Sequence, residues 1–225
     1  MVNLKAIEEI RRAVAATGRE VTVVAAAKTR TKEEIDALMQ CAPDFVLGEN
    51  RVQEFREAYN PAYPWHFIGQ LQTNKVKYII GKVSLIHSLD RTELADEIEK
   101  RAEKCGVVQD CLVEVNMGSE ISKGGVEPDS AVEFVKSLAG YGHIRVRGLM
   151  SVLPALGDIP ELRRLYAELQ ALYGEACGIK QDNAKIDLLS AGMTNDYHVA
   201  LEYGANIIRV GRAIFGERIY PATAI

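Results

Sequence analysis

Apolar and polar positions follow two alternating patterns along the chain, one typical of a buried strand and the other of a helix. Residues 21–27 (Val-Thr-Val-Val-Ala-Ala-Ala) are almost continuously apolar, as expected for a parallel strand that is covered on both faces. Residues 31–42 begin with a Thr-x-x-Glu capping box and carry apolar side chains at helical spacing. The repeating unit is therefore a strand followed by a helix.

This unit recurs along the whole chain. The predicted strands comprise residues 21–27, 44–48, 66–69, 85–88, 111–116, 146–151, 186–190 and 207–210. The predicted helices comprise residues 31–42, 52–59, 74–80, 92–104, 130–138, 160–176, 195–203 and 213–218, and an extra N-terminal helix comprises residues 4–15. Eight units without a linker or a change in composition predict an α/β fold, a single (β/α)8 TIM-type barrel domain over residues 1–225. An open doubly wound sheet is the alternative, but it requires a glycine-rich loop after the first strand, where residues 28–30 read Lys-Thr-Arg.

Composition excludes several classes of function. The 225 residues are 48% hydrophobic and carry 27 basic against 31 acidic side chains, with no basic cluster, so nucleic acid is not expected as a partner. No apolar run approaches the roughly 20 residues of a membrane span, and the N-terminus lacks a signal sequence, so we expect no membrane partner and a cytoplasmic location. The four cysteines are widely separated, which favours reduced, packed thiols over a metal site or a disulfide framework.

The predicted strand ends are unusually polar. In a barrel of this type, functional groups gather at the carboxyl ends of the strands. The residues there are Lys28, Glu49, Asn50, His66, His87, Asp90, Asn116, Met150, Ser151, Ser190 and Arg209.

Lys28 follows the most apolar strand and comes after three alanines. A partly desolvated lysine loses its proton more readily and becomes a nucleophilic amine that can form a Schiff base. The alternative is a strand-end lysine whose ammonium reaches the solvent.

The loops after the seventh and eighth predicted strands have a similar character. Residues 190–194 (Ser-Ala-Gly-Met-Thr) and 209–213 (Arg-Val-Gly-Arg-Ala) resemble the phosphate-binding loops of many barrels, although Gly192 and Gly211 also suit ordinary turns. A lysine facing a phosphate site suggests a phosphorylated carbonyl compound. Pyridoxal 5'-phosphate fits this description, and so does the sugar phosphate of a Schiff-base aldolase, so the residues alone leave both open.

Four segments resemble a known family. Residues 48–54 (Gly-Glu-Asn-Arg-Val-Gln-Glu), 65–75 (Trp-His-Phe-Ile-Gly-Gln-Leu-Gln-Thr-Asn-Lys), 147–150 (Arg-Gly-Leu-Met) and 189–196 (Leu-Ser-Ala-Gly-Met-Thr-Asn-Asp) look like the signatures of the pyridoxal phosphate homeostasis protein family, of the YggS/PROSC type. That family is related to the N-terminal barrel of alanine racemase. The resemblance extends over essentially the whole chain.

The resemblance implies a fold-type III barrel that holds pyridoxal 5'-phosphate as a Schiff base on Lys28. It implies that Ser190, Gly211 and the backbone of Arg212 and Ala213 bind the phosphate and that Arg209 meets the pyridine nitrogen. Gly192, in the loop after the seventh predicted strand, is expected to bind the cofactor as part of the phosphate site described above. A guanidinium cannot accept a proton, so this contact would keep the ring nitrogen unprotonated and weaken the cofactor as an electron sink. Asn50 and His66 lie in the family motifs and are expected to contact the cofactor or a water bound to it.

The function implied is maintenance of the pyridoxal phosphate (vitamin B6) supply, with no catalytic turnover or only weak activity. The last predicted helix ends near residue 219, which leaves no room for the second domain that completes alanine racemase. The alternative is a pyridoxal phosphate-dependent amino-acid racemase or another Schiff-base enzyme. Apo-enzymes that use the cofactor are the expected recipients, although no sequence feature identifies them. Lys123, in another family-like loop, is expected near the barrel mouth or exposed.

Overall fold

The chain forms eight strands that each lead into a helical segment. The computed structural model describes residues 2–118, 124–154 and 158–216. The strands are β1 (Thr22–Ala26), β2 (Val46–Glu49), β3 (Trp65–Phe67), β4 (Leu85–Leu89), β5 (Gln109–Glu114), β6 (Ile144–Met150), β7 (Ala184–Ser190) and β8 (Ile207–Val210). The α-helices are α1 (Leu4–Ala16), α2 (Lys32–Cys41), α3 (Val52–Ala58), α4 (Thr92–Cys105), α5 (Pro128–Ser137), α6 (Ile159–Cys177), α7 (Tyr197–Glu202) and α8 (Arg212–Phe215).

The strands pair in chain order and close into a barrel. Each strand is parallel to its neighbours, and β1 pairs with β8 through Val24 and Arg209. Because residues directly opposite each other point to the same face, this register directs Arg209 into the interior alongside Val24. The same argument places Ala26, Gly48 and His66 on one interior level. The predicted (β/α)8 barrel is thus confirmed.

Two apolar clusters stabilise the barrel. A small cluster fills the interior and consists of Val24, Ile68, Leu85, Leu112, Met150 and Ile207. The larger cluster lies between the strands and the helices. The capping box predicted at the start of α2 is present, with Thr31 and Glu34 bonding to each other's backbone N–H groups. The extra helix α1 is also present, and Asn3 ties its start to α8 by an N–H bond of 2.8 Å to the carbonyl of Ile214.

Several predicted bounds differ from the structure by one or two residues, and three differences have a clear structural cause. The α-helix predicted at residues 74–80 is a 3₁₀ helix, Thr73–Tyr78, because this short segment closes i→i+3 bonds, such as Lys75 N–H to Gln72 O. Strand β3 ends at Phe67 instead of 69, because Gly69 turns against the backbone of the β2 loop. Strand β5 lies two residues earlier than predicted, since residues 115–116 pair with the segment around Val126. The end of the last predicted helix, residues 217–218, lies outside the described residues.

The prediction for the cysteines was half right. All four are free thiols. Cys111 is buried and Cys41 half-buried, but Cys105 and Cys177 are exposed because both lie on outer helices of the barrel, so they are not packed as predicted. Among the residues that the structure describes, no helix combines the length and the apolar character needed to cross a bilayer.

Candidate functional site

Polar side chains gather inside the barrel, mainly at the carboxyl ends of the strands. The buried polar side chains of the described residues are Glu49, His66, His87, Ser88, Gln109, Glu114, Asn116, Ser151, Ser190 and Arg209. A buried polar group destabilises the fold unless it has a partner, so such a concentration indicates a site rather than a packing core.

Four of these side chains form a hydrogen-bonded chain that crosses the interior from β8 to β3. Arg209 Nη1 donates to Ser190 Oγ at 2.5 Å, and Ser190 Oγ lies 3.0 Å from His87 Nδ1. His87 Nε2 in turn lies 3.0 Å from His66 Nδ1. Arg209 is held from its other side as well, because Nη2 donates to the carbonyl oxygen of Ser151 at 2.8 Å. The network brings together three predicted site residues, Ser190, Arg209 and His66, and connects them through His87.

Both histidines of the network are neutral near physiological pH. Burial lowers the pKa of His66 to about 4. Burial also holds the pKa of His87 well below its ordinary value, and the charges of His66 and Arg209 act in the same direction. Each ring therefore carries one N–H. Two directions of hydrogen-bond donation along the network are consistent with this. Either Ser190 donates to His87, which donates to His66, or the order is reversed and the Ser190 hydroxyl proton is left for a ligand.

Arg209 supplies a fixed positive charge at one end of the network. Burial lowers its pKa, whereas Tyr166, Glu114 and Asp196 raise it, and a guanidinium stays protonated in proteins. It is also a donor without acceptor capacity. A ligand atom that meets Arg209 must therefore be a hydrogen-bond acceptor.

Lys28 lies in the turn that follows β1 and is half-buried. The next residue, Thr29, has a φ of 63°, in the left-handed region, and its N–H donates to Glu54 Oε2 at 2.7 Å. A Cβ built on Gly211 would lie 3.2 Å from Ala26 Cβ, so the loop after β8 packs closely against the end of β1. The strand that leads to Lys28 thus packs against one of the two predicted phosphate loops, the loop after β8.

Glu49 is a buried carboxyl group beside Lys28 for which the sequence analysis proposed no role. Its Oε2 accepts the N–H groups of Asn50 at 2.6 Å and Arg51 at 3.2 Å. Burial raises its pKa to about 7, and the nearby charge of Lys28 opposes this rise. The group can therefore change its protonation state near neutral pH, close to the amine.

The loop after β7 is bonded to strand β8. The N–H of Arg209 donates to the carbonyl of Gly192 at 2.9 Å. Gly192 has a φ of +89°, and a Cβ there would lie 2.6 Å from Ala200 Cβ and 2.9 Å from Tyr197 Cα. Glycine is therefore required at this position, both for the backbone conformation and for the space.

Helix α8 begins directly after Gly211. The N–H groups of Ile214 and Phe215 both donate to the carbonyl of Gly211 at 3.0 Å. The N–H groups of Arg212 and Ala213 precede the first bond of the helix and have no acceptor within it. These two donors lie in the loop after β8, where the sequence analysis expected an anionic group.

Glu114 is a further buried carboxyl group in the barrel that the sequence analysis missed. Within the described residues its Oε2 has no hydrogen-bond partner. Burial raises its pKa to about 7, Asp90 adds to the rise, and Arg209 opposes it. The signal was a carboxylate at the end of an otherwise apolar strand, Cys-Leu-Val-Glu. It was overlooked because the predicted strand extended to residue 116.

Asn50 lies apart from the network of Arg209. It follows β2, and its N–H is bonded to Glu49. Its carbonyl oxygen packs against Gly69, where a Cβ would lie 2.3 Å away. Its Oδ1 is buried and accepts no hydrogen bond from the described residues. The structure thus links Asn50 to Glu49 rather than to Arg209. Lys123 lies outside the described residues.

Comparison with known proteins shows the class of protein to which this barrel belongs. The family described as "Alanine racemase, N-terminal domain" matches residues 2–219, so the chain belongs to this family of barrels. Within it, the chain is 44% identical over 223 residues to the pyridoxal phosphate homeostasis protein of Aquifex aeolicus (strain VF5), with 96% of each protein covered. The chain is therefore a member of the pyridoxal phosphate homeostasis protein family, as its motifs predicted.

Solved structures agree with this assignment. The structure of PipY from Synechococcus elongatus PCC7942 without PLP is 26% identical, with a TM-score of 0.83 and coverage of 94% of this chain and 99% of PipY. The structure of PipY with PLP bound has a TM-score of 0.80 over the same shares and is 24% identical to this chain, which shows the shared fold.

Proposed function

We propose that this protein binds pyridoxal 5'-phosphate at the barrel mouth, as a Schiff base on Lys28, and that it maintains the cofactor supply of the cell. The observation that carries the proposal is the pairing of Arg209 with Ser190 next to β1, the strand that Lys28 follows. An amine, a donor for the ring nitrogen and donors for the phosphate are thus available on three neighbouring strands.

The described residues fit the cofactor well. The N–H groups of Arg212 and Ala213, which have no acceptor within α8, suit the phosphate together with the Ser190 hydroxyl and the backbone around Gly192 and Gly211. Arg209 suits the unprotonated pyridine nitrogen, an acceptor. His66 acts through His87, by fixing the orientation of the Ser190 hydroxyl. We place Asn50 at the edge of the cofactor site, beside Glu49.

When bound, the cofactor supplies an electrophilic carbonyl and, in enzymes, an electron sink for carbanions. Arg209 limits the second role. A guanidinium donates a hydrogen bond to the ring nitrogen but keeps its own proton, so the nitrogen stays unprotonated. The neutral, buried histidines are poor proton donors near pH 7. These features support storage of the cofactor over catalytic turnover.

An absorbance spectrum tests the proposal. The protein supplied with pyridoxal phosphate should develop a band near the visible edge, which Lys28→Ala should abolish. Lys32→Ala, an exposed lysine at the start of α2, is the matched control and should keep the band. A protein that stays colourless with excess cofactor, or a band that survives in Lys28→Ala, would overturn the role of Lys28.

A racemase or a Schiff-base aldolase is the rival function. Incubation with alanine or serine in deuterated water should show little exchange of the α-proton if the protein only holds the cofactor. Rapid exchange with many turnovers favours the racemase. Trapping of a sugar phosphate rather than pyridoxal by borohydride favours the aldolase.

Apo-enzymes that require the cofactor are the proposed recipients, and the cytoplasm, where exposed free thiols such as Cys105 stay reduced, is the proposed location. Transfer to an apo-enzyme should be measured with and without a scavenger of free pyridoxal phosphate. Direct transfer predicts that activation persists with the scavenger. Complete loss of activation shows release into solution first.

A further inference from the structure

A polar groove lies at the barrel rim between the loops that follow β2 and β3. Its volume is about 730 Å³, within the range of small-molecule sites. Its lining is mostly polar, and it reaches the proposed cofactor site at Asn50. In a ring of eight strands, β3 is opposite β7, so the groove and the proposed phosphate loops occupy different sides of the mouth.

Three cations surround the ring of Tyr78 at the wall of this groove. The Arg56 guanidinium carbon lies 4.6 Å from the ring centroid, and the Nζ atoms of Lys77 and Lys75 lie 5.1 and 6.0 Å from it. Within the described ranges, none of the three forms an ion pair with a carboxylate. By contrast, Arg164 on α6 is paired with Glu161. The cluster therefore keeps its positive charge available to an external anion.

Arg51 adds a fourth cation, and Glu57 is the opposing charge. Arg51 is largely exposed and only loosely paired, at 3.4 Å from Glu54 Oε1. Glu57 is exposed on α3 and lines the groove. The lining alone thus carries three cations and one carboxylate, and Lys77 stands next to it.

Three glutamines also line the groove, and their amide groups have no partner among the residues that the structure describes. The side chains of these residues, Gln53, Gln70 and Gln72, are exposed. Each amide offers two donors and one acceptor. Together with the cations, they present the donor-rich surface that recognises phosphate oxygens and neighbouring hydroxyl groups.

The groove also accounts for motif residues that the cofactor site leaves unexplained. Four of its lining residues come from the segment 48–54 and three from the segment 65–75. The exposed polar members of these segments are required neither by the barrel core nor by the network of Arg209. We propose that this groove is a second ligand site, which binds a small molecule carrying two or more phosphate charges. Arg56, Lys75 and Arg51 bind the phosphate oxygens, and the glutamines bind the polar remainder.

Calorimetric titration of the cofactor-loaded protein with inorganic pyrophosphate tests the proposal. We expect saturable binding that weakens as salt rises, because the contacts are ionic. Arg56→Gln and Lys75→Gln should each weaken it about tenfold, the effect of losing one charge-assisted contact. Arg12→Gln, an exposed arginine on α1, removes the same charge elsewhere and should bind like the unchanged protein.

Further titrations identify the class of ligand and test whether pyrophosphate binds in the cofactor site instead. If a nucleoside diphosphate or a sugar bisphosphate binds more tightly than pyrophosphate, the difference shows which polar part of the ligand the glutamines recognise. In the cofactor-free protein, pyrophosphate binding that is lost in Ser190→Ala but kept in Arg56→Gln places the anion in the barrel mouth and overturns the proposal. Absence of saturable binding to any phosphate, or binding of a poly-glutamate peptide alone, also overturns it.

Discussion

Ser190 and Arg209 are hydrogen-bonded to each other inside the barrel at 2.5 Å, although they lie on different strands. The residue expected at the phosphate and the residue expected at the pyridine nitrogen are therefore held by one contact. Ser190 Oγ also meets His87, so a single hydroxyl group positions both an arginine and a histidine. A change at Ser190 should thus affect the whole site.

Ser190→Ala should destabilise the protein and weaken cofactor binding. The change leaves Arg209 and His87 without one buried partner each, which costs about 1–3 kcal/mol. Chemical denaturation measures the loss in the free energy of unfolding, and titration with pyridoxal phosphate measures the affinity. Ser88→Ala is the matched control, because the Ser88 hydroxyl is buried without a partner among the described residues and its removal should be neutral or stabilising. Equal effects of the two substitutions would contradict the role of the network.

Gly192→Ala should impair the phosphate loop. A Cβ at this position would meet Ala200 and Tyr197 at distances shorter than van der Waals contact, and the φ of +89° is strained for any other residue. We expect a loss of stability of about 1–3 kcal/mol and reduced affinity for pyridoxal phosphate. Gly174→Ala, inside α6 with open space around its Cβ position, should instead stabilise the protein by up to about 1 kcal/mol. A Gly192→Ala protein that binds the cofactor normally would show that the loop adapts.

The barrel was predictable because strand and helix signals alternate along the entire sequence. The capping box at Thr31 and the apolar run before Lys28 placed the first unit almost to the residue. The carboxyl ends of β7 and β8 were predicted equally well, and Ser190 and Arg209 were identified as candidates because they lie there. Their chemistry was visible because polar residues interrupt otherwise apolar strands.

The contacts between the site residues were not predictable. Parallel strands in a barrel are buried on both faces, so hydrophobic alternation does not show which face points inward. The contact of His66 with His87 depends on the register of β3 and β4, which the sequence leaves open. The inward orientation of Glu114 was hidden as well, since it follows from that of Leu112, two residues earlier in β5.

Glu114 should make the protein less stable as the pH rises. Its pKa is raised from 4.5 to about 7 in the folded state, so the folded protein binds this proton more tightly than the unfolded chain does. This contribution is fully present below about pH 4.5 and is lost as the pH rises through about 7, with an upper bound of about 3 kcal/mol.

Glu114→Gln removes the titrating group and should flatten this part of the profile. Urea denaturation at pH 5 and pH 8 should show a smaller difference in the variant than in the unchanged protein, with the variant more stable at pH 8. Glu103→Gln, an exposed position in α4, should leave the profile as it was. An unchanged pH dependence in Glu114→Gln would assign the effect to other groups.

Glu49→Gln should change the pH at which Lys28 captures the cofactor. Glu49 has a pKa of about 7, and above that pH its carboxylate stabilises the Lys28 ammonium. The glutamine oxygen can still accept the N–H groups of Asn50 and Arg51, so the loop should stay in place while the negative charge is lost. The ammonium then loses its proton more easily, and only the neutral amine attacks a carbonyl.

The rate of formation of the absorbance band, followed from pH 6 to pH 9, measures this effect. Above about pH 7, Glu49→Gln should reach a given rate of band formation at a lower pH than the unchanged protein, by up to about one pH unit. Below about pH 6 the two profiles should converge, because Glu49 is then protonated and neutral in the unchanged protein. Glu20→Gln makes the same substitution before the opposite end of β1 and should leave the profile unshifted. Profiles that coincide at every pH would exclude Glu49 as the group that tunes Lys28.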